Sequence, residues 1–181
     1  MIIHKWFFLS TTGKKRSFVN MKYSVVIGLG ANLGNREESI DSAIRAIQKH
    51  GEFVSRSSIY ETSAWGYDSQ NNYYNVCVEL KTALEPVAFL DEILKIENEL
   101  GRTRSHLGYE DRLIDIDIIL YGDRIESLSS LKIPHPHFHN RKFVLAPMNE
   151  ITPNRVHPIF NKTINELLNL CLDSIQIRQL G

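Results

Sequence analysis

Cysteine is scarce in this 181-residue sequence, which contains only Cys77 and Cys171. Two cysteines so far apart provide neither the framework of a disulfide-stabilised secreted domain nor the paired spacing of a zinc site. Both lie in segments with the apolar periodicity of regular elements. We therefore expect two buried thiols in a protein of a reducing compartment, the cytoplasm.

An excess of either charge is also missing, because 21 Lys and Arg residues balance 21 Asp and Glu residues. A neutral chain creates no overall field that would draw it to nucleic acid or to a membrane surface. No run approaches the roughly 20 apolar residues of a membrane-spanning helix. These absences argue against nucleic acid and membranes as partners. They leave protein partners open, with a monomer or a weak dimer expected.

What is present is the composition of an ordinary globular domain, with 43% hydrophobic and 23% charged residues. The length suits one domain with a sizeable core. Residues 1–21 lack periodicity, and their apolar patch is too short for a secretion signal. We expect them to be a disordered extension, and residues 22–181 to form a single domain.

Hydrophobic periodicity predicts the element order β-α-β-β-α-β. The predicted strands are residues 22–30, 53–62, 73–82 and 112–120, and the predicted helices begin near Asn35 and at Pro86. A short strand near Ile133 and two short helices, near 140–149 and 163–171, follow. This order is the split βαβ pattern of a ferredoxin-like α+β fold, an antiparallel sheet with helices packed on it, here with a C-terminal helical extension. Such a fold hosts many unrelated functions.

The last predicted core strand carries two aspartates, Asp115 and Asp117, in an otherwise apolar run. Alternate side chains of a strand share a face, so the two carboxylates point the same way, about 7 Å apart. They would repel each other unless a divalent cation with a preference for oxygen ligands lay between them. The alternative is an edge strand with one solvated face, on which aspartate is tolerated.

Glu97 and three arginines decide how the aspartate pair is interpreted. Glu97 occupies a position of the second helix where periodicity calls for an apolar residue. Glu97 either lies at the solvent edge of the apolar stripe or is a third carboxylate that converges on the aspartate pair. Arg102, Arg104 and Arg112 lead directly into the pair, and guanidinium groups match phosphate oxygens. A solvated basic surface is the alternative, but phosphoryl transfer uses both the arginines and a bound Mg²⁺.

Three alternating histidines, His135, His137 and His139, suggest a zinc site at first sight. The prolines between them disfavour a regular strand there, so a common face is not assured, and no second cluster supplies a fourth ligand. An anion-contacting loop with His135 and Arg141 is the favoured interpretation.

The glycine motif GLGANLG at 28–34 follows a strand, but its spacing is not that of a dinucleotide fingerprint, and a P-loop is also absent from the sequence. A nucleotide would therefore bind by other means. Tyr73, Trp65 and Phe143 are able to stack on a flat ring, although each could equally belong to the core or to its rim.

Six separated motifs occur in one order along residues 22 to about 172. They are GLGANLGN, SSIYETSAWG, YYN at 73–75, IENELGRTR, DRLIDIDIILYG and IPHPHFHNRKFVLAPM. In this order they resemble the 6-hydroxymethyl-7,8-dihydropterin pyrophosphokinase family of folate biosynthesis. The resemblance implies transfer of a pyrophosphoryl group from Mg·ATP to the hydroxymethyl group of the pterin, with release of AMP.

The resemblance also implies a role for each matching residue. Four residues would be catalytic, namely Arg102, Arg112, Asp115 and Asp117, and the two aspartates would be the ligands of two Mg²⁺ ions. The ATP site would comprise Glu97, Arg104, Ile118, His135 and Arg141. The pterin site would comprise Thr62, Ser63, Trp65, Tyr73, Asn75 and Phe143, with the pterin ring between Tyr73 and Phe143.

The sequence departs from the family pattern just before Arg112. Trp-Gly-Pro or a similar triplet is common there, whereas this chain has Tyr109-Glu110-Asp111. The two carboxylates are expected to add negative charge where phosphate should bind, which bears on loop closure. Pro136 also stands where an aromatic residue is common, which bears on the adenosine contacts.

Two other functions remain compatible with the residues themselves. One is a different Mg²⁺-dependent phosphoryl or nucleotidyl transferase on a ferredoxin-like scaffold, which would release ADP or pyrophosphate instead of AMP. The other is a non-catalytic ligand-binding module, which would have little use for the aspartate pair.

Overall fold

A computed structural model describes residues 22–102 and 111–180. Its strands are β1 (Tyr23–Ala31), β2 (Glu52–Arg56), β3 (Ile59–Thr62), β4 (Tyr73–Thr82), β5 (Asp115–Tyr121), β6 (Glu126–Ser127), β7 (Lys132–Ile133) and β8 (Arg178–Leu180). Its helices are α1 (Arg36–Ile47), α2 (Pro86–Glu99), α3 (Lys142–Ile151) and α4 (Ile164–Leu170), with single 3₁₀ turns at Gln48–His50 and Phe138–Asn140. The expected disordered extension, Arg104, Tyr109 and Glu110 lie outside the described residues.

The main sheet has the strand order β5-β1-β4-β3-β8, and β2 also pairs with β4. Every pairing in it is antiparallel. This arrangement, with helices packed on the sheet, confirms the α+β fold class. None of the described helices has both the length and the apolar character that a membrane span requires.

The predicted strand 53–62 is two strands, with the break at Ser57 and Ser58. Ser57 still bonds to Cys77 of β4: its backbone N–H donates to the carbonyl over 2.9 Å, and its hydroxyl accepts from the backbone N–H over 3.0 Å. The backbone N–H and the hydroxyl of Ser58 donate to the carboxylate of Glu150 in α3, over 3.0 and 2.9 Å. Strand β8 was not predicted, since its three residues are too few to show a period. It pairs Ile59 with Leu180 and so extends the sheet beyond β3.

The two faces of the sheet carry different helices. Val25, Ile27 and Leu29 of β1 point into a core shared with α1 and α2. Val26 points to the other face, where it packs with residues of α3 and α4. Because side chains of a strand alternate, Gly28 and Gly30 continue the face of Val26. At the Val26 end of β1, this face is therefore packed against α3 and α4. At the other end, β1 contributes only Gly28 and Gly30 to it.

Helix boundaries follow local signals. Asn35 caps α1 by accepting a hydrogen bond from the backbone N–H of Glu38 over 3.3 Å, and Pro86 occupies the first turn of α2. Leu90 and Leu94 of α2 are only half-buried. The buried residues of that helix include Ile93, Ile96 and Glu97.

Both cysteines are free thiols, but only one meets the expectation of burial. Cys77 is buried in β4, and burial raises the pKa of its thiol. Cys171 is half-buried because it directly follows the last turn of α4.

Candidate active site

A cavity of about 710 Å³, counting the space at its open mouth, lies on the face of the sheet that carries α3 and α4. Its floor is formed by β1 (Gly28, Leu29, Gly30), β4 (Tyr73, Asn75, Val76, Cys77) and β5 (Asp115, Asp117, Ile119). Its walls are formed by Thr62, Ser63, Trp65 and Tyr67 after β3, by Arg112 before β5, and by Arg141, Phe143 and Val144 at the start of α3.

Two glycines of β1, which have no side chain, leave space above the floor of the cavity. A Cβ added to Gly28 would lie 3.4 Å from Ile119 Cδ1, and one added to Gly30 would lie 3.6 Å from Asn75 Oδ1. Both positions have room for a small group, so glycine is not needed to avoid a clash there. Glycine is a poor strand former, and it often marks a place where a ligand approaches the backbone closely.

Several aromatic side chains line this cavity. The ring centroids of Trp65 and Phe143 are 6.3 Å apart with the planes tilted by 53°. The guanidinium of Arg141 lies over both rings, at 4.7 Å from Trp65 and 5.8 Å from Phe143. Tyr73 lines the floor from β4. Three residues predicted as possible stacking partners thus line one cavity.

A buried amide lies at the floor beside these rings. Asn75 donates from Nδ2 to Thr62 Oγ1 over 3.0 Å and to the backbone carbonyl of Tyr60 over 3.3 Å. These bonds fix the plane of the amide and leave Oδ1 next to Gly30 on the cavity side. An oriented amide of this kind is able to read one polar edge of a flat heterocycle.

The carboxylate of Asp115 lies between two guanidinium groups. Arg102 Nη1 is 2.7 Å from Asp115 Oδ1, and Arg112 Nη1 is 2.5 Å from Asp115 Oδ2. Arg102 also forms an ion pair with Glu97, whose side chain is 1% exposed. Glu97 accepts a second hydrogen bond from the backbone N–H of Ile116 over 2.8 Å. The third carboxylate therefore does converge on the aspartates, and it does so by fixing Arg102 and the start of β5.

Asp117 lies two residues after Asp115 in β5, on the same face of the strand, and also lines the cavity. Burial raises its pKa to about 7, and the negative charges of Asp115 and Glu97 act in the same direction. The positive charges of Arg141 and Arg102 oppose these effects but do not cancel them. A divalent cation there would favour the ionised form of both aspartates.

The donor set fits Mg²⁺ better than zinc. Within residues 22–102 and 111–180, no three His, Cys, Asp or Glu side chains are arranged around one point as metal ligands. Mg²⁺ is commonly held by one or two carboxylates, with phosphate oxygens and water completing its octahedron. Two aspartates on one face of a strand supply what such an ion takes from a protein.

The three histidines do not share a site. The rings of His135 and His137 are 6.1 Å apart, and His139 instead packs on Phe160 with a centroid distance of 4.7 Å. Burial, assisted by the positive charge of Arg141, lowers the pKa of His135 to about 4, so its ring is neutral at pH 7. The backbone N–H of His135 donates to the carbonyl of Ile119 over 3.0 Å, which ties this loop to β5.

The predicted site residues divide into four groups by position. Ten of them line the cavity: Thr62, Ser63, Trp65, Tyr73, Asn75, Arg112, Asp115, Asp117, Arg141 and Phe143. Glu97 and Arg102 lie behind Asp115, and His135 lies beside β5. Ile118 is buried on the opposite face of the sheet, in the core with α1 and α2. Arg104 lies outside the described residues.

The prediction for Asp111 needs a correction. Its carboxylate was expected to add negative charge where phosphate binds, but it is taken up by the loop that joins β3 to β4. Asp111 accepts hydrogen bonds from Tyr67 (2.9 Å), Ser69 (2.7 Å) and Asn71 (2.7 Å) of that loop. A fourth comes from Asn32 over 2.6 Å. These donors, Ser69 first among them, lower the pKa of Asp111 to about 2.

Sequence reasoning missed Asn32 and Tyr67 as residues of this region. Asn32 belongs to the glycine motif at 28–34, whose interpretation concerned phosphate binding only. Tyr67 lies in a polar loop without periodicity. The one available signal was the density of Tyr, Asp, Ser and Asn in residues 67–72, a composition that favours side-chain hydrogen bonds in turns.

Comparison with known proteins gives one consistent family. A model described as 7,8-dihydro-6-hydroxymethylpterin-pyrophosphokinase (HPPK) matches residues 26–153. The chain is 40% identical over 143 residues to the 2-amino-4-hydroxy-6-hydroxymethyldihydropteridine pyrophosphokinase of Aquifex aeolicus, which covers 79% of this chain and 89% of that protein. It is 41% identical over 127 residues to the Bacillus subtilis protein of the same name, covering 69% and 75%.

Solved structures agree on the fold. The chain matches a Plasmodium falciparum HPPK-DHPS structure with pteroate at a TM-score of 0.66 and 17% identity, covering 82% of this chain. It spans only 44% of the length of that chain. At this identity the likeness establishes the fold alone.

Proposed function

Because the chain belongs to the 7,8-dihydro-6-hydroxymethylpterin-pyrophosphokinase family, we propose that it transfers a pyrophosphoryl group from Mg·ATP to the hydroxymethyl group of 6-hydroxymethyl-7,8-dihydropterin. AMP and the pterin diphosphate are the products, and the reaction serves folate biosynthesis in the cytoplasm. The observation that carries this proposal is the aromatic cavity that ends at a pair of carboxylates. A flat ring and a polyphosphate then meet in one place.

The pterin occupies the aromatic part of the cavity. Its ring lies between Tyr73 and Phe143, both of which line this space. Asn75 and the chain at Thr62, Ser63 and Trp65 bind its polar edge. The hydrogen bond between Asn75 and Thr62 supports this role, since it brings polar groups of the cavity lining together and a pterin presents donors and acceptors along a single edge.

Asp115 and Asp117 hold Mg²⁺, with two ions expected, and each ion when bound neutralises phosphate charge and orients the reacting oxygens. Arg102 and Arg112 hold the polyphosphate. Both guanidiniums lie against Asp115, which supports this role, since phosphates bound through Mg²⁺ at the aspartates would lie next to them. Glu97 keeps Arg102 in position, while Arg141 and His135 contact the nucleotide.

The chemistry consists of positioning and charge neutralisation. The hydroxymethyl oxygen attacks the β-phosphorus in line and forms a bond to it, while the hydroxyl proton passes to water. The bond from the β-phosphorus to the α,β-bridging oxygen breaks as AMP leaves. The residues of the chain align the two substrates and neutralise the charge that develops on the bridging oxygen. Direct attack by the substrate hydroxyl requires no nucleophile from the protein.

Separation of the nucleotide products by chromatography tests the reaction. Purified protein is incubated with Mg·ATP, with and without 6-hydroxymethyl-7,8-dihydropterin. AMP that forms only when the pterin is present supports the proposal. ADP would instead identify a simple kinase, and pyrophosphate a nucleotidyl transferase. Pterin binding without turnover would identify a ligand-binding module.

A further inference from the structure

A single carboxylate connects the two segments that flank the pterin part of the cavity. Asp111 precedes β5, whereas its partners Tyr67, Ser69 and Asn71 belong to the loop between β3 and β4. Three of the hydrogen bonds on Asp111 therefore cross from one segment to the other. Bonds to an ionised carboxylate are stronger than bonds between neutral groups. The low pKa of Asp111, about 2, means that the carboxylate is ionised at any pH of interest.

The connection is anchored to the end of β1 through Asn32, which is 3% exposed. Asn32 donates from Nδ2 to Asp111 over 2.6 Å and accepts at Oδ1 from the backbone N–H of Arg112 over 2.7 Å. The backbone N–H groups of Asn32 and Leu33 both donate to the carbonyl of Arg112, over 3.1 and 3.3 Å. Asp111 is thus held against the rigid sheet, and the loop is held against Asp111.

The hydrogen bonds continue from Asp111 into the cavity. An ionised carboxylate only accepts, so the hydroxyl hydrogen of Tyr67 is directed to Asp111. The hydroxyl oxygen of Tyr67 lies 2.7 Å from that of Tyr73, and with its own hydrogen already committed it accepts from Tyr73. The chain Tyr73 → Tyr67 → Asp111 therefore fixes the hydroxyl end of the Tyr73 ring.

We propose that Asp111 is a positioning residue for the pterin: through Tyr67 it fixes the hydroxyl end of the Tyr73 ring, and it holds the β3–β4 loop at the rim of the cavity. This inference rests on the proposed function, because it assigns Tyr73 to the pterin. The carboxylate of Asp111 accepts hydrogen bonds from the β3–β4 loop and from Asn32, which are not assigned to the phosphates. Its loss therefore acts on the pterin and leaves the nucleotide nearly unaffected.

Paired binding measurements test the role of Asp111. Equilibrium titrations follow the intrinsic fluorescence of 6-hydroxymethylpterin and, separately, binding of a non-hydrolysable Mg·ATP analogue. Asp111→Ala is expected to raise the pterin Kd about tenfold or more while the Kd of the analogue changes by less than about twofold. The matched control is Asp68→Ala, which removes an exposed carboxylate from the same loop and is expected to change neither Kd.

A second variant separates the tyrosine connection from general loss of structure. Tyr67→Phe removes one hydroxyl and keeps the ring, so the fold is retained. It is expected to raise the pterin Kd about threefold to fivefold. The double variant with Asp111→Ala should bind pterin no more weakly than Asp111→Ala alone, because both changes break the same chain of bonds. Simple multiplication of the two effects would overturn the connection.

Trp65 reports on the loop without any ligand. In a Trp6→Phe background it is the sole tryptophan, and Asp111→Ala is expected to lower its fluorescence anisotropy while Asp68→Ala leaves it unchanged. Unaltered pterin affinity in Asp111→Ala, with normal binding by the parent protein, would refute the role of Asp111. Failure of the parent protein itself to bind pterin would instead refute the proposed function.

Discussion

The two ends of one sheet face differ by only a few residues along each strand. At the end covered by α3 and α4, Val26, Cys77 and Ile119 pack into an apolar core. At the open end the same three strands present Gly28 and Gly30, Asn75 and Tyr73, and Asp117 and Asp115. The backbone ladder runs unbroken from one end to the other in β1 and β4. A step of two residues along each strand therefore converts a core into a binding site.

The comparison teaches that the sheet supplies rigidity and the side chains supply the chemistry. The packed end resists change of volume, because its residues are buried on all sides. The open end is built from residues that are poor strand formers or costly to bury, and these are tolerated because the ladder is stabilised elsewhere. Changes at the two ends should therefore separate stability from function.

The largest effect is expected at the open end, from Asp117→Ala. Removing this carboxylate leaves one aspartate to hold Mg²⁺, so pterin-dependent formation of AMP should fall roughly a thousandfold. The melting temperature should not fall, since a buried group with a raised pKa is removed. Asp123→Ala, which removes an exposed carboxylate, serves as the control. Undiminished turnover by Asp117→Ala would contradict the assignment of this residue to the metal.

The packed end should show the opposite behaviour in Leu145→Ala. Leu145 is fully buried in α3, so truncation is expected to lower the free energy of unfolding by about 3 kcal/mol. Affinity for the pterin should change little below the melting temperature. Denaturant unfolding measures the loss, and Leu170→Ala, at an exposed position of α4, should cost less than about 0.5 kcal/mol. A matching loss of pterin affinity would mean that the two ends are not independent.

Filling the open end should make it resemble the packed end. Gly30→Val places a branched side chain on the cavity floor beside Asn75 and Tyr73, and valine is a better strand former than glycine. We expect pterin affinity to fall about a hundredfold, a loss of ~2.7 kcal/mol, while the melting temperature holds or rises. Gly30→Ala should have a smaller effect, as its Cβ makes only an ordinary contact. Titration of pterin fluorescence measures the affinity of both variants, and thermal unfolding measures their melting temperatures. A fall in both the affinity and the melting temperature would count against the cavity floor as a ligand surface.

The smallest effect is expected on the stability of the protein as the pH is lowered. It involves His135, whose backbone N–H donates to the carbonyl of Ile119 at the boundary between the two ends. The folded-state pKa of His135 is about 4, below the ordinary value of 6.5. As pH falls from about 6.5 to 4, the unfolded chain takes up a proton that the folded chain does not, so stability decreases across this window and levels off below it.

Unfolding at a series of pH values in metal-free buffer measures this dependence. His135→Gln should flatten the curve between pH 6.5 and 4, while the remaining histidines leave part of the slope. An unchanged slope in the variant would show that His135 is not the group responsible.

Much of the fold could be predicted because it depends on local periodicity. The alternation in 112–120 correctly placed Asp115 and Asp117 on the face opposite Ile118. The side chain of Ile118 lies in the core with α1 and α2, so the ATP-site role that the family resemblance implies for this residue stays a prediction and concerns its backbone. The break between β2 and β3 escaped prediction, since it depends on Glu150, which lies 92 positions away from Ser58.

The sequence by itself determined the order of the elements, the cap of α1 at Asn35, the shared face of the two aspartates and the motifs that mark the family. These features depend on residues a few positions apart. Only the tertiary structure decided that Arg102 and Arg112 hold Asp115, and that Asp111 turns away from the phosphates toward Tyr67 and Asn32. Hydrogen-bond partners 44 and 79 positions apart leave no periodic signal in the chain, because folding alone brings them together.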